Sequence, residues 1–355
     1  MPTDRPKIFM FARGNEEGPA FFEAAGCEVA LGSADWANPT ADPPERMVAL
    51  ARDADALVGT SIKNSRIDRD VMTASETLRI ISKYTVGVDE IDVDTATELG
   101  ILVTHAPTEA NWGGVAEYTV TLMLTMLKKM RERDRWVKET GAWRDLALTG
   151  TYLGRREDGY GGITIGIIGL GRIGTRVSKL MRPWDLRIVA YDPYVADAHF
   201  AELGVERMRT LDGLLEVSDV VSVHVTLTKE TRHMLSAAQF NKMKHSAVLV
   251  NTARGPAVDE EALIDALRTQ RIAGAALDVM EHEPVSPDNP LLVMDDRVFL
   301  SPHMAAHNHG AGIGPGIVWG NEDVLRALRG QVPEHIFNPE ALSRWRERFE
   351  GRSLL

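Results

Sequence analysis

Three side chains that could carry out chemistry follow strand-like runs late in the sequence: Arg254, Glu283 and His303. Arginine offers a permanently charged fork of donors that fits a carboxylate and the carbonyl beside it. Histidine gives or takes a proton near neutral pH, and a nearby glutamate orients the ring and stabilises its charged form. If a dinucleotide-binding loop precedes them, the three residues together fit hydride transfer to a carbonyl next to a carboxylate.

His303 belongs to the segment SPHMAAHNHG (301–310), which also contains His307 and His309. Imidazole nitrogens serve as metal ligands, as acid–base groups or as ordinary polar groups. A metal site would need His303 and His307 with a third donor, and it would remove His303 from proton transfer. We therefore expect no metal, and we interpret His307 and His309 as polar residues lining or flanking a cleft.

An earlier segment, GIIGLGRIG, carries Gly169, Gly171 and Gly174 in the spacing G-x-G-x-x-G. It follows an apolar run, opens the helical pattern 172–183, and precedes a second strand-like run that ends at Asp192. The glycines permit a tight turn, a close approach of backbone N–H groups to a pyrophosphate, and close packing of helix on strand. Asp192 would accept hydrogen bonds from the adenosine ribose and repel a 2′-phosphate, which predicts NAD rather than NADP.

The elements that must position these residues form two series of alternating strand-like and helical patterns. Such alternation predicts parallel sheets with helices on their faces, and ligands bind at the carboxyl ends of their strands. The stretch 31–45 is rich in Pro, Asp and Asn and predicts a loop. The strand-like runs are 7–13, 56–59, 78–86 and 101–107, followed by 163–170, 186–192, 219–225, 247–253, 273–280 and 297–303.

Two further segments have unusual patterns. The helical segment 115–130 is apolar on nearly every side, which indicates burial inside a domain, between domains or against a second subunit. The glycine-dense stretch 310–320 predicts a loop or hinge before a helix at 321–330.

Length and composition exclude several classes of protein. A chain of 355 residues exceeds the usual size of one core, so we expect two domains. Its net charge of −11, without a long basic run, argues against nucleic-acid binding. Cys27 is the only cysteine, so no intrachain disulfide can form, and we expect a reducing compartment, the cytoplasm. No run approaches the roughly 18 apolar residues that span a membrane.

The motifs, in this order, resemble those of the D-isomer-specific 2-hydroxyacid dehydrogenases, which include the D-3-phosphoglycerate dehydrogenase-like enzymes. The resemblance implies an α/β fold of two doubly wound parallel-sheet domains. A Rossmann NAD-binding domain (112–311) would be inserted into a flavodoxin-like substrate domain (1–111 and 312–355). It also implies a homodimer formed largely through the inserted domain. The motifs are SKYTVGVDEIDVDTATELGILVTHAP (82–107), VAEYTVTLML, GIIGLGRIG, YDPY, VNTARG, ALDVMEHEP, SPH and FNPEAL (337–342).

The resemblance also implies roles for individual residues. The catalytic arginine, glutamate and histidine fall on Arg254, Glu283 and His303, and the substrate carboxylate falls on loop backbone at Val86 and Gly87, with Arg254. The implied cofactor contacts, with the glycine loop included, are Gly169, Gly171, Arg172, Ile173, Gly174, Asp192, Val225, Thr226, Thr252, Ala253, Arg254, Asp278 and His303.

The implied reaction is the NAD-dependent interconversion of a small D-2-hydroxy acid and its 2-oxo acid. Phosphoglycerate-specific relatives carry arginines after the second strand-like run, where this chain has Ser61 and Lys63, so we expect an acid without phosphate. Tyr84, Trp112 and Met304 would offer apolar surface to the acid, although the first two could equally pack inside the protein. We also expect the domains to open and close about their crossings near 107–114 and 304–320.

Two other functions are open at this point. One is a non-catalytic NAD-sensing interaction protein on the same fold, because a fold alone does not give an activity. The other is a dehydrogenase of the formate or phosphite type, although formate enzymes of this fold carry an amide where Glu283 stands.

Overall fold

The computed structural model describes residues 5–294, 297–309 and 312–355. Its contacts divide the chain into two compact units. The first unit is built from both parts of the chain that flank the second, up to Asn111 and again from His309. The second unit runs from Trp112 to Asn308.

The first unit has a five-stranded parallel sheet in the order β2-β1-β3-β4-β5. This is the strand order of the flavodoxin-like doubly wound sheet. The strands are β1 (Lys7–Arg13), β2 (Glu28–Asp35), β3 (Ala56–Gly59), β4 (Ile80–Lys83) and β5 (Leu102–Thr104). The helices between them are α1 (Gly18–Ala24), α2 (Pro44–Ala51), α3 (Arg69–Thr73) and α4 (Val93–Leu99).

Helices α5 (Glu109–Lys128) and α6 (Met130–Thr140) follow β5. The pattern of α5 predicts burial on nearly every side, but Glu117 and Thr121 are exposed. None of the residues of α6 is buried. No helix among the described residues is long and apolar enough to cross a membrane.

The second unit has a seven-stranded parallel sheet in the order β12-β11-β10-β9-β6-β7-β8. From β8 inward this is the Rossmann order 3-2-1-4-5-6 with one further strand at the far edge. The strands are β6 (Thr164–Ile168), β7 (Arg187–Tyr191), β8 (Glu206–Arg207), β9 (Val220–Val223), β10 (Val248–Asn251), β11 (Gly274–Leu277) and β12 (Val298–Leu300). The helices are α7 (Arg172–Met181), α8 (Asp197–Leu203), α9 (Leu211–Val217), α10 (Ala237–Phe240) and α11 (Glu260–Arg268).

The chain then returns to the first unit with α12 (Gly314–Leu328) and α13 (Leu342–Phe349). Both sheets are therefore parallel with helices between their strands, which confirms the predicted fold class.

Central strands are buried on both faces, which explains their continuous apolar sequences. Successive residues of β9 enter different hydrophobic clusters: Val221 and Val223 belong to one, and Val220 belongs to the other. The sheet of the second unit thus separates two apolar layers.

The prediction of a loop over 31–45 is wrong at its start, because β2 continues to Asp35. Its sequence, EVALGSAD, has little of the hydrophobic pattern of a strand. Gly32 explains part of this, since a Cβ there would lie 2.7 Å from the carbonyl oxygen of Phe11 on the neighbouring strand. An edge strand with one face half-exposed gives a weak sequence signal.

The prediction of a loop over 310–320 is also wrong for most of its length, because α12 begins at Gly314. Pro315 lies in the first turn of the helix, where its missing N–H costs nothing. A Cβ on Gly316 would lie 2.1 Å from the carbonyl oxygen of Tyr84, and one on Gly320 would lie 2.6 Å from the Tyr84 ring. These two glycines therefore allow close packing rather than bending. Gly310 of the proposed hinge lies outside the described residues.

Candidate active site

The residues singled out in the second half of the chain lie at one edge of the seven-stranded sheet. They follow the carboxyl ends of β6, β7, β9, β10, β11 and β12, which is the ligand-binding edge of such sheets. Across the sheet from β12 to β7, the order is His303, Asp278, Thr252–Arg254, Val225–Thr226, Gly169–Gly174 and Asp192. Three strand spacings of roughly 4.8 Å separate Asp192 from Thr252, about 14 Å in all, which suits an extended dinucleotide.

The glycine loop between β6 and α7 has the geometry that its spacing predicts. Gly169 has φ of +90°, in the region that favours glycine. A Cβ on Gly174 would lie 2.1 Å from the carbonyl oxygen of Gly169, so only glycine lets the helix approach the strand this closely. Gly171, the N-cap of α7, has no heavy atom within 4 Å of the place where its Cβ would be.

The open space at Gly171 lies at the amino end of a ten-residue helix that no side chain caps. The first backbone N–H groups of a helix have no partner within the helix and attract an anion. Arg172 and Ile173 are the first two residues of this helix. The loop therefore has the room and the donors that a pyrophosphate needs.

Asp192 directly follows β7, and backbone groups hold its carboxylate in place. Its Oδ2 accepts a hydrogen bond from the N–H of Leu170 at 2.8 Å, and its Oδ1 accepts one from Tyr194 at 2.9 Å. The first of these bonds ties the carboxylate directly to the glycine loop. Each oxygen keeps a second lone pair that can accept a bond from a ribose hydroxyl.

The middle of the edge is formed by the residues after β9 and β10. Val225 and Thr226 follow β9, where the carbonyl of Thr226 accepts a hydrogen bond from the hydroxyl of Thr231. Thr252 is 7% exposed, and its hydroxyl lies 2.7 Å from that of Thr119 on α5. Ala253 donates its N–H to the side chain of Asn251 at 3.0 Å. Hydrogen bonds within the second unit therefore hold both segments in place at this edge.

Arg254 comes next in the loop after β10. One guanidinium nitrogen, Nη1, donates to the carbonyl of Ala253 at 2.7 Å. A Cβ on the following residue, Gly255, would lie 1.8 Å from the carbonyl oxygen of Met280. Glycine at this position therefore lets the Arg254 loop contact the backbone beyond β11, beside Glu283.

Glu283 and His303 are in direct contact: Oε2 of the carboxylate lies 2.8 Å from Nδ1 of the imidazole. Since a carboxylate can only accept, the hydrogen is on Nδ1, and Nε2 is the second acid–base position of the ring. The other glutamate oxygen, Oε1, accepts the N–H of Met280 at 3.1 Å. The glutamate side chain is 14% exposed and the histidine side chain 45%, so an enclosed carboxylate orients a ring that solvent and substrate can reach.

Asp278 organises the segment that carries His303. It is 1% exposed, and its oxygens accept hydrogen bonds from the N–H groups of Met304 and Ala305, both at 2.9 Å, and from the hydroxyl of Ser301. Its carbonyl accepts the N–H of His303 at 2.8 Å. The backbone of His303 has φ of +55°, which a residue other than glycine adopts only when its surroundings hold it there.

His307 lies close enough to His303 for the two rings to affect each other. Desolvation, and secondly the charge of His303, hold the pKa of His307 below its usual value, while Asp278 opposes this. Both His307 and His309 are exposed. No group of three metal-ligating side chains occurs among residues 5–294, 297–309 and 312–355. The absence of a metal from the protein stays a prediction.

Val86 and Gly87 lie in the first unit, in the loop after β4. The carbonyl of Thr85 accepts the N–H of Ala106 at 2.9 Å, and the carbonyl of Val86 accepts Nδ1–H of His105 at 3.0 Å. Two carbonyls of the loop are thus engaged by the segment after β5. The sequence reasoning did not identify His105, and only the adjacency of β4 and β5 reveals it.

The three side chains expected to offer surface to the substrate differ in their placement. Tyr84 is 2% exposed, and its hydroxyl donates to Oδ1 of Asn321 at 2.7 Å, which is in the core of the first unit. Burial raises the pKa of this phenol far above its usual value. The expectation that Tyr84 lines the substrate site is therefore wrong. Trp112 is half-buried, and Met304 is 48% exposed.

Comparison with known proteins identifies the family of this chain. The model of the D-isomer specific 2-hydroxyacid dehydrogenase NAD-binding domain matches residues 120–305. A glyoxylate reductase of Thermofilum pendens is 39% identical over 349 residues, which cover 95% of this chain and 96% of that protein. A D-3-phosphoglycerate dehydrogenase of Archaeoglobus fulgidus is 41% identical over 274 residues, which cover 77% of this chain and 50% of that protein.

Solved structures show the same relationship. The crystal structure of D-lactate dehydrogenase from Aquifex aeolicus, complexed with NAD and lactic acid, is 28% identical with a TM-score of 0.74. The match covers 90% of this chain and 93% of that one. The chain belongs to the D-isomer specific 2-hydroxyacid dehydrogenases, which confirms the resemblance. It is an NAD-dependent oxidoreductase that acts on 2-hydroxy and 2-oxo acids.

Proposed function

We propose that this enzyme reduces a small 2-oxo acid without phosphate, such as glyoxylate or hydroxypyruvate, to the D-2-hydroxy acid. The observation that carries the proposal is the pair formed by His303 and Glu283, with 2.8 Å between Nδ1 and Oε2. NAD supplies the hydride in its reduced form. Nε2 of His303 gives a proton to the carbonyl oxygen in reduction and takes it back in oxidation.

The guanidinium of Arg254 binds the carboxylate and the carbonyl oxygen of the acid in this proposal. A forked cation polarises the carbonyl and fixes the acid in one orientation. The N–H groups of Val86 and Gly87 hold the carboxylate, since carbonyls of the same loop are already engaged with His105 and Ala106.

Support for an acid without phosphate comes from the loop after β3. The hydroxyl of Ser61 lies 3.4 Å from that of Thr85, beside the loop that contains Val86. Position 61 thus adjoins the proposed carboxylate site but carries no charge. The backbone of Lys63 is bonded to Pro39 and Ala41, and a lysine in any case offers a point charge rather than a fork.

Steady-state oxidation of NADH with a panel of acids tests this substrate class. The panel is glyoxylate, hydroxypyruvate, pyruvate, longer 2-oxo acids and phosphohydroxypyruvate. We expect the highest kcat/KM for one of the small unphosphorylated acids and a value at least about tenfold lower for phosphohydroxypyruvate, because the phosphate lacks a forked partner. A preference for phosphohydroxypyruvate would show that the loop at Ser61 is misinterpreted.

The carboxylate of Asp192 leads to a second prediction, on the choice of cofactor. We expect kcat/KM with NADH to exceed that with NADPH by about 100-fold, because a 2′-phosphate would meet a fixed negative charge. Asp192→Asn should narrow this ratio by about tenfold. Asp185→Asn is the matched control, since Asp185 is an exposed carboxylate just before the other end of β7. Similar kcat/KM values with both cofactors in the natural enzyme would contradict the assignment.

We also propose that the second unit forms a homodimer through the region around α6. Large apolar side chains are exposed there: Val137 by 59%, Trp143 by 81% and Leu146 by 85%. Exposed apolar groups in such density mark contact surfaces. Light scattering should give twice the chain mass, and Trp143→Glu with Leu146→Glu should give the monomer. If the natural protein has the mass of a single chain at micromolar concentration, the proposed dimer is wrong.

The cytoplasmic location stays a prediction.

A further inference from the structure

A buried ion pair lies beside the proposed substrate loop. Lys83, the last residue of β4, is 0% exposed, and its Nζ contacts the carboxylate of Glu90, which is 10% exposed. The two residues flank 84–89, the loop that contains Val86 and Gly87. Burying two charges costs much desolvation energy, so the pair needs a reason beyond the stability of the sheet.

The pair also connects this loop with the preceding one. Nζ of Lys83 donates to the carbonyl oxygen of Thr60 at 2.8 Å, and Oε1 of Glu90 accepts the N–H of Ile62 at 3.2 Å. Both partners lie in the loop after β3, on either side of Ser61. The ammonium group also lies 5.7 Å from the centre of the ring of Phe11, which is fully buried.

The remaining contacts of loop 84–89 show what the pair adds. The segment after β5 holds the carbonyls of Thr85 and Val86 through His105 and Ala106. Those bonds act on one side of the loop. The contacts of Lys83 and Glu90 fix the two ends of loop 84–89. They also join this loop to Thr60 and Ile62, on either side of Ser61.

We propose that Lys83 and Glu90 are positioning residues, which hold the loop with Val86 and Gly87 and the loop with Ser61 in one fixed arrangement. This inference rests on the proposed function, because it assigns the carboxylate of the acid to Val86 and Gly87. An apolar pair could fill the same volume but could not bond the carbonyl of Thr60 and the N–H of Ile62. Directional bonds fix donors to within the few tenths of an ångström that substrate orientation requires.

The test compares the natural enzyme with Lys83→Met, Glu90→Gln and the double variant. We expect each single variant to lose thermal stability, because it leaves one buried charge without its partner, and the double variant to regain most of it. In the double variant, KM for glyoxylate should nevertheless rise about tenfold, and hydrogen exchange of the peptide 84–90 should become about tenfold faster. The dissociation constant of NADH should stay unchanged.

A matched control removes an ion pair elsewhere: Arg187→Met with Glu206→Gln, an exposed pair between β7 and β8. It should leave KM and the exchange of 84–90 as in the natural enzyme. A double variant at Lys83 and Glu90 with natural exchange and natural KM would overturn the positioning role. The exchange measurement needs no turnover, so it tests the positioning role even if the enzyme reduces no acid of the panel. Failure to reduce any acid would refute the proposed function, not the positioning role.

Discussion

His303→Ala should lower kcat/KM for oxo-acid reduction by roughly 100- to 10,000-fold, which is what a positioned general acid contributes. The dissociation constant of NADH should change by no more than about twofold, because most of the implied cofactor contacts follow β6, β7, β9 and β10, and His303 is only one of them. Stopped-flow measurement of NADH oxidation, with NADH binding followed by fluorescence, separates the two effects. Near-natural turnover by the variant would remove His303 from the chemistry.

A second variant is needed because His303 has a backbone conformation that alanine adopts poorly. Alanine is strained at φ of +55°, so lost activity could reflect a displaced loop. Asparagine tolerates this conformation and keeps a polar side chain, but it cannot transfer a proton. His303→Asn should therefore be as inactive as His303→Ala while melting at a temperature nearer that of the natural enzyme. His245→Ala, at an exposed site before β10 and thus at the opposite edge of the sheet, is the control that should keep full activity.

Glu283→Gln examines the partner of the histidine. The amide can still accept the Nδ1–H bond, but it does not stabilise the imidazolium as a carboxylate does. Oxo-acid reduction uses the protonated ring. In the pH profile of kcat/KM for reduction, the alkaline limb should therefore move to lower pH in this variant. An unmoved limb would point to a carboxylate other than Glu283, with Glu281, which lies 2.5 Å from His233, as the residue to test next.

The proposed cofactor half of the site has sequence signals that are local, and the structure brings these residues to one edge of the sheet. Within one strand–turn–helix unit, Gly169 adopts a positive φ and Gly174 allows the helix to approach the strand closely. Gly171 leaves open space at the start of the helix, and Asp192 directly follows the next strand. The alternation of apolar runs and helices also predicts both parallel sheets. In each case a short stretch of chain contains both the cause and the effect.

The rest depends on which strands become neighbours. Asp278 organises the segment around His303 because β11 and β12 are adjacent, and its bonds to Met304 and Ala305 cross a gap of more than twenty residues. The many glycines at the start of α12 predict a hinge. In the structure, Gly316 instead allows the helix to pack against the backbone of Tyr84. A glycine that bends and a glycine that packs look alike in sequence, since only the opposing surface distinguishes them.

The same limit applies to Lys83 and Glu90. Each residue has an ordinary type for a strand end or a loop, and nothing in their spacing of seven predicts a contact. Their pairing follows from the side-by-side position of β3 and β4, which brings Thr60 and Ile62 to the same place.

Arg254→Ala should lower kcat/KM for the acid by roughly 30- to 5,000-fold, the range that corresponds to losing one partner of a desolvated charge pair. Because Arg254 would bind the carboxylate in the ground state and the carbonyl oxygen in the transition state, both KM and kcat should change. NADH affinity should remain close to natural, because the other implied cofactor contacts, from Gly169 to Ala253, are unchanged in this variant. A variant that changes KM alone would show that the guanidinium binds the acid without polarising its carbonyl.

Arg254→Lys distinguishes charge from geometry. Lysine keeps the positive charge but offers a single point donor, so it cannot hold the carboxylate and polarise the carbonyl at the same time. Compared with Arg254→Ala, we expect the lysine variant to have a KM closer to the natural value but a kcat that remains almost as low. Arg268→Lys and Arg268→Ala, at the exposed end of α11, are controls that should behave as the natural enzyme. Full kcat in Arg254→Lys would mean that the positive charge alone suffices, and the proposed fork of Arg254 would then have no role in catalysis.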